Sequence, residues 1–263
     1  MIVIGERING FNKKIAEAIK SKNNAYIQEL AVLQTRCGAD YLDICAGAVT
    51  DQIEVLIWII QAIQKVVDTP LCIDCDDVDV ILSVLPYVKH PGIINSVALA
   101  KSNYKDVFSK VAGTDWKVIV LLMGGKGIPA CAADKIEIAK STIAMTRPLK
   151  IKDEQVLLDP LVLPICNTSG SVLDYLATIE SLKTILPECL TVGGLSNVSY
   201  GMPLRKHLEE CFLVLVKVVG LDAAIMDITD VDLHATLSAT DALLEGGDKT
   251  IKFCNFAREQ KLS

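Results

Sequence analysis

A chain of 263 residues with 32 acidic and 26 basic side chains carries a formal net charge of −6, which excludes the basic excess that nucleic-acid backbone binding requires. A hydrophobic fraction of 51% and a mean hydropathy of +0.39 exclude disorder and imply a large core. No apolar run reaches the ~18 residues of a membrane helix; the strongest, Cys211 to Met226, is broken by Lys217 and Asp222.

Eight short, β-branched apolar runs recur along the chain: Met1–Gly5, Tyr41–Cys45, Leu71–Cys75, Gly92–Ser96, Lys117–Met123, Val156–Pro160, Leu190–Leu195 and Ala223–Ile228. Each is followed by a polar or glycine-containing loop and a stretch long enough for a crossover helix. The first run has no basic segment before it, so it reads as a strand and not as a signal peptide, and a cytoplasmic protein is expected. An extra short helix is predicted around Lys13 to Lys20, with Ser21-Lys22-Asn23-Asn24 as a turn and helix cap. Between Asp51 and Val67, Ile53, Leu56, Ile57, Ile60, Ile63 and Val67 follow the 3.6-residue period. Pro203 sits where a first helical turn tolerates proline, and Leu204, Leu208 and Phe212 extend an apolar stripe. Met145 and Met226 read as core. Continuous apolar strands alternating with helices predict a parallel sheet covered on both faces. Eight such units in 263 residues fit an α/β fold of the (β/α)8 (TIM) barrel type, one domain over residues 1–263, with a doubly wound open sheet as the alternative.

Nine cysteines, an odd number scattered singly, suit reduced thiols in a reducing compartment. Cys72 and Cys75 form the one C-x-x-C spacing, but in a strand residues three apart point to opposite faces, so no metal or dithiol site is expected.

A (β/α)8 barrel gathers its active site at the C-terminal strand ends. Those ends carry Glu6-Arg7-Ile8-Asn9, Asp43, Asp74, Asn95-Ser96, Met123-Gly124-Gly125-Lys126-Gly127, Asp159-Pro160, Gly193-Gly194-Leu195-Ser196-Asn197 and Asp227. Carboxylates and carboxamides dominate, which suits a flat heterocycle with alternating donors and acceptors. Asp51 and Asp106 read as helix caps. Asp74, Asn95, Asp159 and Asn197 read as functional, because burying such groups without partners costs several kcal/mol. A glycosidase pair lacks aromatic platforms: only 5% of residues are aromatic, and Trp58 and Trp116 lie away from the rim. The glycine run at Gly124 lacks the phosphate-loop frame. No histidine falls at a strand end, which leaves a Ser-His-Asp hydrolase without support.

Taken together, the strand ends and above all the stretch Gly194-Leu195-Ser196-Asn197-Val198-Ser199-Tyr200-Gly201-Met202-Pro203-Leu204-Arg205 resemble the pterin-binding methyltransferases. More narrowly, the chain is similar to the methyltetrahydrofolate:corrinoid protein methyltransferases and to the folate domain of cobalamin-dependent methionine synthase. The resemblance covers essentially the whole chain. It implies a barrel, usually a homodimer, that takes tetrahydrofolate or 5-methyltetrahydrofolate as substrate and works on a corrinoid (cobalamin) carried by a partner protein. It implies that Asp74, Asn95 and Asp159 hydrogen-bond the pterin, that Asn197 sits at N5, and that Met123, Gly194, Ser196 and Arg205 line the cavity, with Asn9 and Asp227 at its edge. Tyr200 and Met202 are expected to face the corrinoid. Relatives commonly carry asparagine in place of Cys45 and serine in place of Cys75. Dihydropteroate synthase shares the barrel and pterin site, but its first loop and its C-terminal Arg-x-His pair are absent here. A pterin-binding subunit without catalysis is the remaining alternative.

Overall fold

A computed structural model of the protein describes residues 1–100, 103–168 and 170–261. Eight parallel strands close into a barrel in chain order: β1 (Ile2–Asn9), β2 (Tyr41–Cys45), β3 (Leu71–Asp74), β4 (Ile93–Val97), β5 (Lys117–Leu121), β6 (Val156–Asp159), β7 (Leu190–Gly194) and β8 (Ala223–Met226). Pairing of β1 back onto β8, with Ile2 opposite Ala223 and Gly5 opposite Met226, excludes the open sheet. Ten helices surround the barrel among the described residues: α1 (Lys13–Lys20), α2 (Asn24–Arg36), α3 (Gln52–Ile63), α4 (Val78–Val84), α5 (Tyr104–Val111), α6 (Ala132–Thr146), α7 (Ser171–Ile185), α8 (Arg205–Val218), α9 (Val231–Glu245) and α10 (Asp248–Lys261). None is long and apolar enough to cross a membrane.

The strands are apolar throughout because both faces are covered. Ile4, Cys72, Ile93, Ile119, Leu157, Val192 and Ala223 point inward and fill the barrel. Their outward neighbours, among them Leu42, Ile44, Ile73, Ile94, Val118 and Leu158, pack beneath the helices. Cys72 belongs to the inner cluster and Cys75 to the outer one, so the two thiols of the C-x-x-C do not converge.

Strand β1 runs four residues past its expected end. Between Gly5 and Ile8 it advances three residues while β2 advances two, from Leu42 to Ile44, which is a bulge. The fully buried Gln34 of α2 secures it, its Oε1 accepting the Arg7 N–H at 2.9 Å. Helix α1 spans the predicted residues, and the Asn23 side chain caps α2 through the Tyr26 N–H. Asp51 occupies the α3 cap position without a side-chain bond, and Asp106 lies in the first turn of α5 behind Asn103.

Two readings need correction. Leu204 is 74% exposed in a left-handed conformation (φ 52°), so α8 begins at Arg205 and its buried stripe is Phe212, Leu213 and Val216. The turn before α8 spends Pro203 and Leu204 on redirecting the chain. Met145 is 40% exposed on α6, whereas Met226 is fully buried. The two glycines that end β7 face opposite ways. Gly193 faces outward, where an added Cβ would overlap the Tyr175 hydroxyl, itself bonded to the Val192 carbonyl at 3.3 Å.

Gly193→Ala is therefore expected to destabilise the protein by about 1–3 kcal/mol through overpacking. Adding Tyr175→Phe, which removes the clashing oxygen, recovers part of that loss. Chemical denaturation of the two single variants and the double variant checks the coupling.

Candidate functional site

Beyond the inner apolar layer the inward positions change character on six of the strands, while Leu121 of β5 and Ile225 of β8 stay apolar. The changed positions are Glu6 on β1, Asp43 and Cys45 on β2, Asp74 on β3, Asn95 on β4, Asp159 on β6 and Gly194 on β7. Strand pairing sets Cys45 beside Asp74 and Asp74 beside Asn95. The alternation that buries isoleucine below thus presents acids and an amide at the mouth.

Few partners compensate these acids. Asp43 is buried and accepts hydrogen bonds from the Asn95 amide at 3.2 Å and from the Cys72 thiol. Burial pushes its carboxyl well up, and neighbouring Asp74 adds to the rise. Burial also raises Asp74, against a hydrogen bond from the Cys45 thiol. Cys45 thus supplies a weak donor beside Asp74. Asp159 is buried and pushed up to about 7 by desolvation, against the Leu161 N–H at 2.8 Å and the charge of Lys135. Glu6 is likewise pushed up to about 7 by burial, opposed by the Ser196 hydroxyl, which donates to it at 3.2 Å.

The mouth is divided into separate recesses. The largest, about 600 Å³, lies over β1, β7 and β8, with Glu6, Asn9, Ser196, Arg205 and Asp227 in its wall. A second, about 360 Å³, is lined by Asp74, Cys45 and Phe11. Met123 borders a third of about 310 Å³ with Leu99 and Ile138. Asn95 and Asp159 lie on the inward wall outside these recesses.

The structure thus brings Asn9, Ser196, Arg205 and Asp227 to one recess and Asp74 to the next, while Met123 stands apart. Asn9 uses its side-chain oxygen on the Phe11 N–H at 2.9 Å. Asp227 accepts from the Thr229 N–H and hydroxyl and faces Arg7 at 3.4 Å. The Arg205 guanidinium is engaged on the Ser199 hydroxyl, the Ser196 carbonyl and Glu209. It braces the turn that carries Asn197. That turn is a short 3-10 helix, Leu195–Asn197. The exposed Asn197 side chain folds over Gly194, its Nδ2 2.9 Å from where a Cβ would sit. Among the described residues it makes no side-chain hydrogen bond within the chain. Tyr200 is 67% exposed and Met202 half-buried, both outside the recesses.

Glu6 and Asp43 were on the rim but not among the expected ligand residues. Their signal was strand alternation: Ile2, Ile4 and Glu6 share one face of β1, and Tyr41, Asp43 and Cys45 one face of β2.

A family model described as "Pterin binding enzyme" matches residues 5–227. The chain belongs to the pterin-binding enzyme family. Within it, the chain is 34% identical over its full length to the methylcorrinoid:tetrahydrofolate methyltransferase of Eubacterium limosum, covering 98% of that protein. It is 28% identical over 86% of its length to the methionine synthase of Mycobacterium tuberculosis, but spans only 20% of that longer enzyme. Among solved structures, the dihydropteroate synthase of Xanthomonas albilineans in complex with 7,8-dihydropteroate superposes with a TM-score of 0.68. That match covers 93% of each chain at 15% identity and shows the shared barrel.

The raised Asp159 has a consequence for stability. A carboxyl held near 7 in the folded chain against an ordinary 3.8 gives its full stability below the lower value, and that stability is lost as pH rises toward 7. Asp159→Asn abolishes this loss while keeping an acceptor for Leu161. The melting temperature of the variant relative to wild type should therefore be higher at pH 8 than at pH 5. The gain is roughly 2–4 °C for each kcal/mol recovered in a domain of this size, read by thermal denaturation at both pH values.

Proposed function

We propose that the protein transfers a methyl group between N5 of tetrahydrofolate and the cobalt of a corrinoid carried on a separate protein. The carrying observation is the inward Asp74–Asn95–Asp159 layer at the barrel mouth, in a chain related over its full length to a methylcorrinoid:tetrahydrofolate methyltransferase. On this reading residues 1–263 act as one pterin-binding barrel.

The chemistry fits the residues. A pterin presents a ring N–H and an exocyclic amine side by side, and one carboxylate accepts both. Asp159 takes this role, with Asp74 and Asn95 along the neighbouring edge and Gly194, Ser196 and Met123 shaping the walls. Asn9, Arg205 and Asp227 line the open side. Asn197, with a free amide above Gly194, stands at N5. A neutral carboxamide donates to N5 when it bears a lone pair and accepts when it bears a proton, so one residue serves both directions. The mouth must stay open for the corrinoid protein, and the exposed Tyr200 with Met202 forms part of that approach. The reading extends to a cytoplasmic homodimer in one-carbon metabolism; nine free thiols support the reducing compartment.

Tetrahydrofolate is expected to bind with micromolar-order affinity, the usual range for enzyme substrates. Because the bound edge selects ionised Asp159, affinity should strengthen as pH rises toward about 7 and level off above it. Asp159→Asn should cost about 1–3 kcal/mol of binding and remove the pH dependence. Calorimetric titration between pH 5.5 and 8.5 (about three units around the Asp159 value) measures both. No binding by folded wild-type protein would overturn the functional reading.

Asn197→Ala should leave the fold intact and slow methyl transfer by about 10²–10³, as loss of one transition-state donor does. The effect falls on kcat more than on KM. Single-turnover transfer between methyltetrahydrofolate and cob(I)alamin reads it, with Asn95→Ala as control. A wild-type rate for Asn197→Ala alongside an inactive Asn95→Ala would move the N5 contact to β4.

A further inference from the structure

Five acids line the largest recess, and four of them are already committed. Asp227 is held by Thr229 and Arg7, Glu209 by Ser199 and Arg205, Asp230 by Lys206, and Glu210 by His207. Glu6 forms no ion pair among the described residues. Its one side-chain hydrogen bond comes from the hydroxyl of Ser196, the residue immediately before Asn197. A part-buried carboxyl that reaches an open recess, forms no ion pair among the described residues and touches the turn carrying the N5-facing amide is placed to exchange a proton.

We propose that Glu6 is a catalytic residue that exchanges the N5 proton during methyl transfer; this rests on the function proposed above. Toward the folate, the N5 lone pair attacks the methyl carbon, the N5–C bond forms and the cobalt–carbon bond breaks. Its electron pair stays on cobalt, which leaves as Co(I). N5, now carrying both the methyl group and its original hydrogen, is an ammonium, and the Glu6 carboxylate takes that proton. In reverse, the Glu6 carboxyl protonates N5 of methyltetrahydrofolate. The Co(I) pair then attacks the methyl carbon, and N5 departs as a neutral secondary amine. Protons and electrons balance in both directions with only the two substrates.

The groups facing Glu6 set its behaviour. Ser196 after β7 stabilises the ionised form, as does Arg205 of α8, whereas Asp227 after β8, Glu209 of α8 and burial favour the protonated form. Glu6 in turn disfavours ionisation of Asp43 on β2. Arg7, its neighbour on β1, points to Asp227 and Thr229. The balance leaves Glu6 near 7, where both forms are available at neutral pH.

The test is single-turnover transfer with the full chain at saturating folate, where Asp159 stays ionised and does not contribute an inflection. Methylcobalamin with tetrahydrofolate reads one direction, and methyltetrahydrofolate with cob(I)alamin the other. For wild type, transfer to the folate should rise with pH through about 7, and transfer from it should fall. Glu6→Gln, which still accepts from Ser196, should slow both by about 10²-fold or more, flatten both profiles and leave folate affinity within about threefold. Glu6→Asp should retain the inflection at reduced rate. Ser196→Ala, lacking the hydroxyl that holds Glu6 down, should shift the inflection upward even if the Glu6 variants fail to fold. A fast Glu6→Gln, a retained inflection in it, an unmoved inflection in Ser196→Ala, or a loss matched by lost binding overturns the proposal. Wild-type protein that neither binds folate nor moves the methyl overturns the functional reading, and the role of Glu6 with it.

Discussion

A carboxyl group turned inward on a strand of a closed barrel gives up much of its hydration, and no change of rotamer turns it to the outer surface. The backbone on either side is committed to its neighbours, and the side chain points at the axis. Glu6, Asp43, Asp74 and Asp159 are all held this way, and burial is the largest cause of the raised proton affinity of each. The chain returns only part of the lost hydration, through one amide, two thiols, one hydroxyl and one backbone N–H. Much of the remaining hydrogen-bonding capacity is available to a ligand that arrives with donors. The rigidity of the barrel and the chemistry of its mouth are thus two results of one constraint.

The same layer separates two tasks. Asp159 on β6 and Glu6 on β1 both sit near 7, but their surroundings differ. Asp159 is buried, bonded to the backbone after it and within reach of the Lys135 charge, so its protonation responds to whatever edge is set against it. Glu6 borders an open recess and is surrounded by charges of both signs. Two carboxyl groups of similar affinity are therefore suited to recognition in one case and proton exchange in the other.

The barrel was legible because its signal is repeated eight times. Each β-branched run had to be buried on both faces, and each was followed by room for a helix. The site was legible where a polar residue ends such a run, as at Asp74, Asn95 and Asp159. Glu6 and Asp43 were harder to rank. Glu6 follows a glycine at a bulge that no local pattern announces, and Asp43 lies inside its strand with apolar residues on both sides. Leu204 misled because an apolar residue two turns before Phe212 fits a helical stripe equally well whether or not the helix has begun. A glycine such as Gly193 reports that something comes close, not from which side. Here it is Tyr175 of α7 and not a ligand.

The bulge in β1 ties the aim of Glu6 to a residue on the outer shell. Gln34 reaches from α2 to the Arg7 N–H because Gly5 leaves the space its side chain occupies; a Cβ on Gly5 would meet the Gln34 oxygen. Positions 5 and 34 thus share a single volume, although 29 positions separate them in the sequence (34 − 5). Neither can grow unless the other shrinks, and if Gln34 shortens, the Arg7 N–H loses its acceptor. Divergence at these two positions is therefore correlated by steric necessity. A change on the outer helix, remote from any substrate, would be felt as a change in the direction of a carboxyl group at the mouth.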